Sequence, residues 1–182
     1  ADNFGQTATY DESGNGYMGG IANGSGYVVT TGAYQRAFGG STYDIAISKF
    51  NSTGDSLEYS TYIGGSGNET VHSLVVDAAE NLYLLGASSS PNYPTTPTAV
   101  KGSRTSSTGA IVTDIGVRYT GGVDIVVTKF NKDGTNLLGS TYYGGANSDG
   151  INQNPNSTTS TTVYDGLNFN YGDYHRGEII ID

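Results

Sequence analysis

Two segments of the chain occur twice at the same spacing, and this duplication restricts the possible folds more than any other feature. Asp44–Asn51 (DIAISKFN) returns as Asp124–Asn131 (DIVVTKFN), and Ser60–Gly65 (STYIGG) returns as Ser140–Gly145 (STYYGG). Both copies are displaced by 80 positions, so the intervening stretch was copied without insertion or deletion. The duplication therefore predicts a repeat protein built from copies of one supersecondary unit.

A second motif precedes the first in each copy. Asp11–Gly20 (DESGNGYMGG) aligns with Asp77–Gly86 (DAAENLYLLG) at a displacement of 66 residues. The final residues, Glu178–Asp182 (EIIID), align in turn with Ser73–Asp77 (SLVVD). The pattern predicts two complete units, followed by the first strand of a third.

The composition favours strands and tight turns. Among 182 residues there are 28 Gly and 15 Tyr, but no Cys. Tyr, Val, Ile and Thr suit a half-buried pleated surface, whereas Gly and Asn supply the positive φ that tight turns require. No segment shows sustained helical periodicity. We therefore expect an all-β protein without disulfides or thiolate metal sites.

Each unit contains two short-turn hairpins, centred on 11–15 and 51–54 in the first copy and on 77–81 and 131–134 in the second. Four antiparallel strands followed by another such group are typical of β-propeller blades. We predict a first blade at 1–66 and a second at 67–145 with an insertion at 97–122. Residues 146–182 would form a long inter-blade loop and the start of a third blade.

A ring of this type needs about four to eight blades. Two blades would leave an open edge with unpaired backbone groups. We therefore expect this β-propeller fragment to be completed by remaining blades of the same longer polypeptide.

The same residues carry a resemblance to a known family. They are Leu57–Gly65, Val75–Asp77, Asn81–Gly86, Tyr93–Thr96 and Asp124–Phe130. These segments resemble the bacterial seven-bladed β-propeller repeat family. They are similar in particular to versions in large cell-surface and gliding-motility-associated proteins of Bacteroidota, which are exported by the type IX secretion system.

This resemblance implies a propeller on the outer surface of a Gram-negative bacterium or outside the cell, with no assigned catalytic residues. We expect no cofactor. The insertions at 97–122 and 146–174 depart from the pattern of the family. The resemblance spans most of the chain.

The net charge excludes one class of partner. Eight Lys and Arg stand against 17 Asp and Glu, which gives a formal charge of −9. This charge removes the attraction to phosphate that drives most nucleic-acid binding, so we expect no nucleic-acid partner. No apolar run approaches the roughly 20 residues of a membrane-spanning helix.

A four-stranded meander places its short turns at one end of the sheet and its long connections at the other. Binding residues tend to lie on variable loops held by a rigid scaffold. Aromatic rings beside guanidinium groups suit a surface glycan or another cell-surface or secretion-system protein. The candidate ligand-binding residues on the long connections are Tyr34, Arg36, Tyr93, Arg104, Arg118, Tyr119, Tyr171, Tyr174 and Arg176. The alternative for each tyrosine is that its ring pins a loop to the sheet.

Other chemistry is weakly indicated. His72 and His175 occupy related places in successive units, which favours a structural role over catalysis. Asp133 and Asp149 lie in oxygen-rich loops that could offer Ca²⁺ ligands, although Asn, Asp and Gly form such turns without any ion. Ser56 lies in Asp55-Ser56-Leu57, which is similar to the O-glycosylation signal of Bacteroidota.

The leading hypothesis is a non-catalytic propeller segment of a large exported cell-surface protein that acts as an adhesion, scaffold or binding module. One alternative is a carbohydrate-binding or polysaccharide-processing propeller with its site among the long loops. A second alternative is an extracellular filament subunit that assembles through open blade edges.

Overall fold

The computed structural model describes residues 3–105, 112–114, 117–150 and 178–181, and the statements below refer to these residues. Within these ranges every regular element is a β-strand. The strands are β1 (Asn3–Tyr10), β2 (Gly16–Asn23), β3 (Tyr43–Phe50), β4 (Leu57–Ile63), β5 (Glu69–Val76), β6 (Leu82–Ser88), β7 (Val112–Asp114), β8 (Val117–Tyr119), β9 (Asp124–Phe130) and β10 (Leu137–Tyr143).

The strands form two four-stranded antiparallel sheets. Blade 1 has the order β1-β2-β3-β4, and blade 2 has the order β5-β6-β9-β10. The short strands β7 and β8 pair only with each other and lie in the connection between β6 and β9, within the predicted insertion. The predicted fold class, an all-β propeller fragment with two complete blades, is confirmed.

The two blades repeat each other down to their irregularities. The ladder between β1 and β2 shifts register between Gly5 and Thr7, and the ladder between β5 and β6 shifts between Val71 and Ser73, 66 positions later. A β-bulge bends a strand and increases its twist, so copied bulges give both sheets the same curvature. This shared curvature allows the two sheets to stack face to face.

A hydrophobic cluster joins the stacked blades. Blade 1 contributes side chains that include Ile45, Ile47 and Ile63, and blade 2 contributes others that include Leu84 and Phe130. All five of these residues are fully buried. Because burial of an aliphatic side chain stabilises by roughly 1.5–3 kcal/mol, this junction is a main source of stability.

The predicted first strand of a third blade does not form a β-strand over residues 178–181. The backbone N–H of Ile179 donates to the hydroxyl of Ser73 in β5, at 3.4 Å, and Ile180 is exposed. A strand requires a neighbouring backbone as its partner, whereas these residues meet a side chain. The segment therefore adjoins blade 2 without joining a ladder. Asp182 lies outside the described residues.

Candidate functional site

The strand order places the connections at two different ends of the blades. The short turns after β1, β3, β5 and β9 lie at one end, which we call the turn end. The connections after β2, β4, β6 and β10 lie at the opposite end, which we call the loop end. The six candidate ligand-binding residues that the structure describes belong to loop-end connections, and Tyr171, Tyr174 and Arg176 lie outside the described residues.

The connection after β2 returns along the outermost strand of blade 1. We call its residues 27–35 edge strap 1. The N–H of Thr30 donates to the carbonyl of Ser60 at 3.1 Å, and the N–H of Tyr62 donates to the carbonyl of Gln35 at 3.1 Å. These bonds satisfy backbone groups of β4 that would otherwise form an unpaired sheet edge.

Blade 2 has the same device 66 positions later, at residues 93–101, which we call edge strap 2. The N–H of Thr96 donates to the carbonyl of Ser140 at 3.0 Å, and the N–H of Tyr142 donates to the carbonyl of Lys101 at 3.1 Å. The outer edge of β10 is therefore covered in the same way as that of β4. Part of each long connection thus serves the sheet itself.

Tyr93, one of the candidate ligand-binding residues, begins edge strap 2 and is only 2% exposed. Its hydroxyl shares a hydrogen bond with the hydroxyl of Thr128 at 2.9 Å, and its N–H donates to the hydroxyl oxygen of Tyr142 at 2.7 Å. Burial raises the pKa of its phenol. In this arrangement the ring of Tyr93 anchors the strap and does not face solvent.

Tyr34 and Arg36 lie on either side of the end of edge strap 1. The N–H of Tyr34 donates to the carbonyl of Gly134 in blade 2 at 3.0 Å, and its ring meets the ring of Phe130 edge-on at 6.1 Å between centroids. Burial raises the pKa of Tyr34. Tyr34 thus ties the strap of blade 1 to blade 2, whereas Arg36 is exposed.

Arg104, Arg118 and Tyr119 lie in the connection between β6 and β9. The half-buried guanidinium of Arg104 donates to the carbonyl of Gly121. Tyr119 is fully buried, and its hydroxyl is 2.7 Å from the hydroxyl of Thr70. Arg118 is exposed. Of the six described candidates, the structure brings only Arg36 and Arg118 fully to the loop-end surface.

The remaining sequence candidates lie in turns or links. Ser56 and Asp133 are exposed in the turns that follow β3 and β9. Asp149 accepts the N–H of Gly145 at 2.7 Å through its carboxylate. Among the described residues, no three His, Asp or Glu side chains come together in a group that could hold a metal ion.

Sequence reasoning missed a buried carboxyl pair at the loop end. Asp44 is the second residue of β3 in blade 1, Glu69 is the first residue of β5 in blade 2, and both are fully buried. The N–H of Gly39 donates to Asp44 Oδ2 at 2.6 Å. Burial raises the pKa of Asp44 to about 7; the Gly39 hydrogen bond opposes this rise, and the nearby Glu69 charge adds to it.

The second repeat carries an equivalent pair, Asp124 and Asp149, each 80 positions after its counterpart. The N–H of Thr105 donates to Asp124 Oδ2 at 2.9 Å, as Gly39 does to Asp44. The shared displacement of 80 residues was the available signal in the sequence. It was obscured because the second partner changes from Glu69 to Asp149.

The turn end carries the opposite kind of pairing. Lys49 is almost buried. Its Nζ lies 3.0 Å from Oε2 of Glu80 in blade 2 and 3.9 Å from Oδ2 of Asp11 in its own blade. The equivalent Lys129 lies 2.9 Å from Asp77 of its own blade. Charged residues of opposite sign therefore link the blades at the turn end, whereas two acids meet at the loop end.

The described residues include no helix that is long and apolar enough to cross a membrane. A comparison with curated proteins finds no match for this chain.

Residues 58–94 match the SBBP family, described as a beta-propeller repeat. The match runs from β4 of blade 1 through β5 and β6 into edge strap 2, so it crosses the blade junction. The two four-stranded meanders and this match show a β-propeller fold, in which residues 58–94 are similar to an SBBP repeat.

Proposed function

We propose that this chain is a non-catalytic segment of a larger exported propeller that acts at the cell surface as a scaffold and adhesion module. The observation that carries this proposal is that polar residues at repeated positions perform the same structural task in both blades. Tyr27 and Tyr93 both anchor straps, and Asp11 and Asp77 both accept N–H groups in turns. A unique active site would ordinarily interrupt such a repeat.

The exported, cell-surface location is supported by the resemblance to surface proteins of Bacteroidota. Protease treatment of intact cells that produce the protein tests it. We expect the chain to be cleaved in intact cells while a cytoplasmic marker protein survives. Survival of the chain until the cells are lysed would contradict a surface location.

The partner surface that we propose is the loop end around Arg36 and Arg118. Both residues are exposed, and exposed guanidinium groups offer planar sets of hydrogen-bond donors to sugar hydroxyls, carboxylates or protein carbonyls. The partner would be a surface glycan or another cell-surface protein.

Binding of the purified chain to a glycan array and to isolated cell-surface material tests this surface. Arg36→Ser and Arg118→Ser should each weaken binding, whereas Lys132→Ser, which alters an exposed residue at the turn end, should leave it unchanged. Equal binding by all three variants would contradict a loop-end surface. Cleavage of a glycan that is lost in the loop-end variants would instead favour a polysaccharide-processing propeller.

The bare faces of the stack are a second functional feature, and we propose that they receive the remaining blades of the same longer polypeptide. The open face of blade 1 has an apolar groove of about 160 Å³ lined by residues that include Phe4, Met18 and Tyr27. The equivalent face of blade 2 is covered by blade 1. The edge straps cover β4 and β10, so a filament built through these strand edges would first have to displace them.

A further inference from the structure

The carboxyl pair of Asp44 and Glu69 lies across the junction of the two blades, and its chemistry goes beyond the proposed scaffold function. Both residues are fully buried. The ion pairs among the described residues lie at the other end of the blades, where Lys49 and Lys129 are located. Two buried carboxylates facing each other would be costly, since a buried charge needs a partner of opposite sign or a proton.

Burial raises the pKa of Glu69, but hydrogen bonds from its surroundings oppose this rise and favour its ionised form. Its Oε1 accepts the hydroxyls of Ser88 at 2.6 Å and Ser90 at 2.5 Å, and its Oε2 accepts the N–H of Gly65 at 3.1 Å. Hydrogen bonds donated to a carboxylate favour its charged form. Glu69 is therefore the member of the pair that is better prepared to hold the negative charge.

Asp44 has the environment of the member that holds a proton. Its Oδ2 accepts the N–H of Gly39, but its buried Oδ1 accepts no hydrogen bond from the described residues. A Cβ placed on Gly64 would lie 2.5 Å from Asp44 Oδ1 and 2.6 Å from Glu69 Oε2, so the two oxygens face the same small space. A proton on Oδ1 would convert it into a donor to Glu69.

We propose that Asp44 and Glu69 share one proton and thereby form a latch that holds the loop end of the blade junction closed and weakens when that proton is lost. The latch connects four segments. Gly39 belongs to the connection after β2, Gly65 to the link between the blades, Ser88 to the end of β6 and Ser90 to the connection after β6.

The surroundings contain few other titratable groups among the described residues. Tyr93 and Tyr142 lie near Glu69, and their phenol pKa values are raised mainly by burial and further by the Glu69 charge, so both stay neutral at moderate pH. The positive charge of Arg104 partly opposes the rise in the pKa of Tyr142. Neither phenol titrates between pH 4 and 8.

The second repeat differs at one informative position. The Lys101 ammonium donates to the carbonyl of Gly144, beside the pair of Asp124 and Asp149. The equivalent residue in the first repeat is the neutral Gln35, whose side-chain oxygen accepts the N–H of Gly64. A cationic side chain is therefore available beside the second pair, whereas the first pair depends on its proton.

The direction of the pH effect follows from the raised pKa of Asp44, which is about 7 against an ordinary value of 3.8. The folded chain binds this proton more tightly than the unfolded chain does, so the stabilisation is complete below pH 3.8 and is lost as pH rises through 7. Each pH unit within this window should lower the folding equilibrium constant by about tenfold relative to a chain without the latch.

The test compares urea unfolding of the full chain at pH 4.5 to 8.5 for the native sequence and for Asp44→Asn. Asparagine keeps the shape of the protonated acid and does not titrate. We expect the native chain to lose stability towards pH 7 and Asp44→Asn to lack this loss. Asp55→Asn, at an exposed turn position, is the control and should retain the native pH dependence.

A direct measurement on the native chain keeps the proposal testable if Asp44→Asn does not fold. The ¹³C resonance of the Asp44 carboxyl should titrate near pH 7, and amide exchange at Gly65 should accelerate above that pH. Titration of Asp44 near pH 4 would overturn the proposal. Stabilisation of the native chain by Ca²⁺ at pH 8, absent in Asp44→Asn, would also overturn it by showing that a metal ion bridges the pair.

Discussion

The same sheet face is bare in blade 1 and covered in blade 2, and this difference shows how much of the fold depends on the neighbouring blade. Leu84 of blade 2 is fully buried, whereas Met18, its counterpart 66 positions earlier, is 51% exposed. Phe130 is fully buried, whereas its counterpart Phe50 is only partly buried. The copied residues differ in burial because one face has blade 1 stacked on it.

The edge straps show the same contrast. Tyr27 and Tyr93 make equivalent hydrogen bonds through their hydroxyls, to Ser48 at 2.6 Å and to Thr128 at 2.9 Å. Tyr93 is enclosed between the blades, while Tyr27 lines the open groove of blade 1. Equivalent positions therefore provide matched pairs in which the covered copy should be the more sensitive one.

The largest difference is expected between Phe130→Ala and Phe50→Ala. Removing the fully buried ring of Phe130 should lower the free energy of unfolding by about 3–5 kcal/mol, because it leaves a cavity in the junction. The partly exposed ring of Phe50 should cost about 1–2 kcal/mol. Urea unfolding measures both. Equal costs would mean that the bare face is covered in solution, which a dependence of the midpoint on protein concentration would reveal.

The next largest difference in stability is expected between alanine substitutions at two turn glycines. Gly54 and Gly134 both have positive φ, at 75° and 64°. A Cβ on Gly134 would overlap the ring of Tyr59 in blade 1, whereas a Cβ on Gly54 would meet open space. Gly134→Ala should therefore cost about 3 kcal/mol through strain and overpacking. Gly54→Ala should cost about 1 kcal/mol through backbone strain alone. Thermal unfolding followed by circular dichroism would compare them, and a Gly54→Ala cost as large as that of Gly134→Ala would contradict the contact.

A smaller difference is expected for the two lysines. Lys49→Met removes a nearly buried ammonium that links the blades through Glu80, so we expect a loss of about 1–2 kcal/mol. Lys129→Met removes a more exposed pair within one blade and should cost less than about 1 kcal/mol. Added salt should reduce the Lys129 effect more than the Lys49 effect. The reverse order of salt sensitivity would argue against the inter-blade pair.

The smallest effect is expected at acidic pH from Asp77. Burial raises its pKa, but hydrogen bonds from Asn81 and Lys129 outweigh this effect and lower it to about 2. Because the folded pKa is depressed, the stabilisation is present above the ordinary value of 3.8 and is lost as pH falls through 2. In Asp77→Asn the free energy of unfolding should decrease less steeply as pH falls. At neutral pH the substitution should lower it by less than about 1 kcal/mol. Unfolding curves between pH 1.5 and 5 would detect it, and an unchanged acid-side slope would rule out this role.

The sequence was sufficient to predict the blades because their strands and turns are copied nearly intact. Asp11 and Asp77 mark one type of turn, because an Asp side chain can accept backbone N–H groups of the turn. Gly54 and Gly134 mark the other type, because the turn requires a positive φ. The straps were not predicted as sheet partners, because their bonding uses hydroxyls such as that of Thr30 and lacks the alternation typical of a strand.

The candidate site was less predictable because burial depends on residues distant in the chain. Tyr93 and Tyr119 looked available on long connections, yet both are enclosed by neighbouring strands and loops. Asp44 and Glu69 are 25 positions apart on different blades, and only the stacking of those blades brings their carboxyl groups together. Local pattern identifies the ends of elements, whereas such meetings depend on tertiary packing.

The straps along β4 and β10 bear on how a gene of this kind can grow. A duplicated unit includes the strap that covers its outer strand edge. That edge therefore has no free backbone groups on which other chains could add strands. Enlargement is thereby directed around the central axis, one whole unit at a time. Tandem copying can thus lengthen the molecule without making it more prone to precipitate.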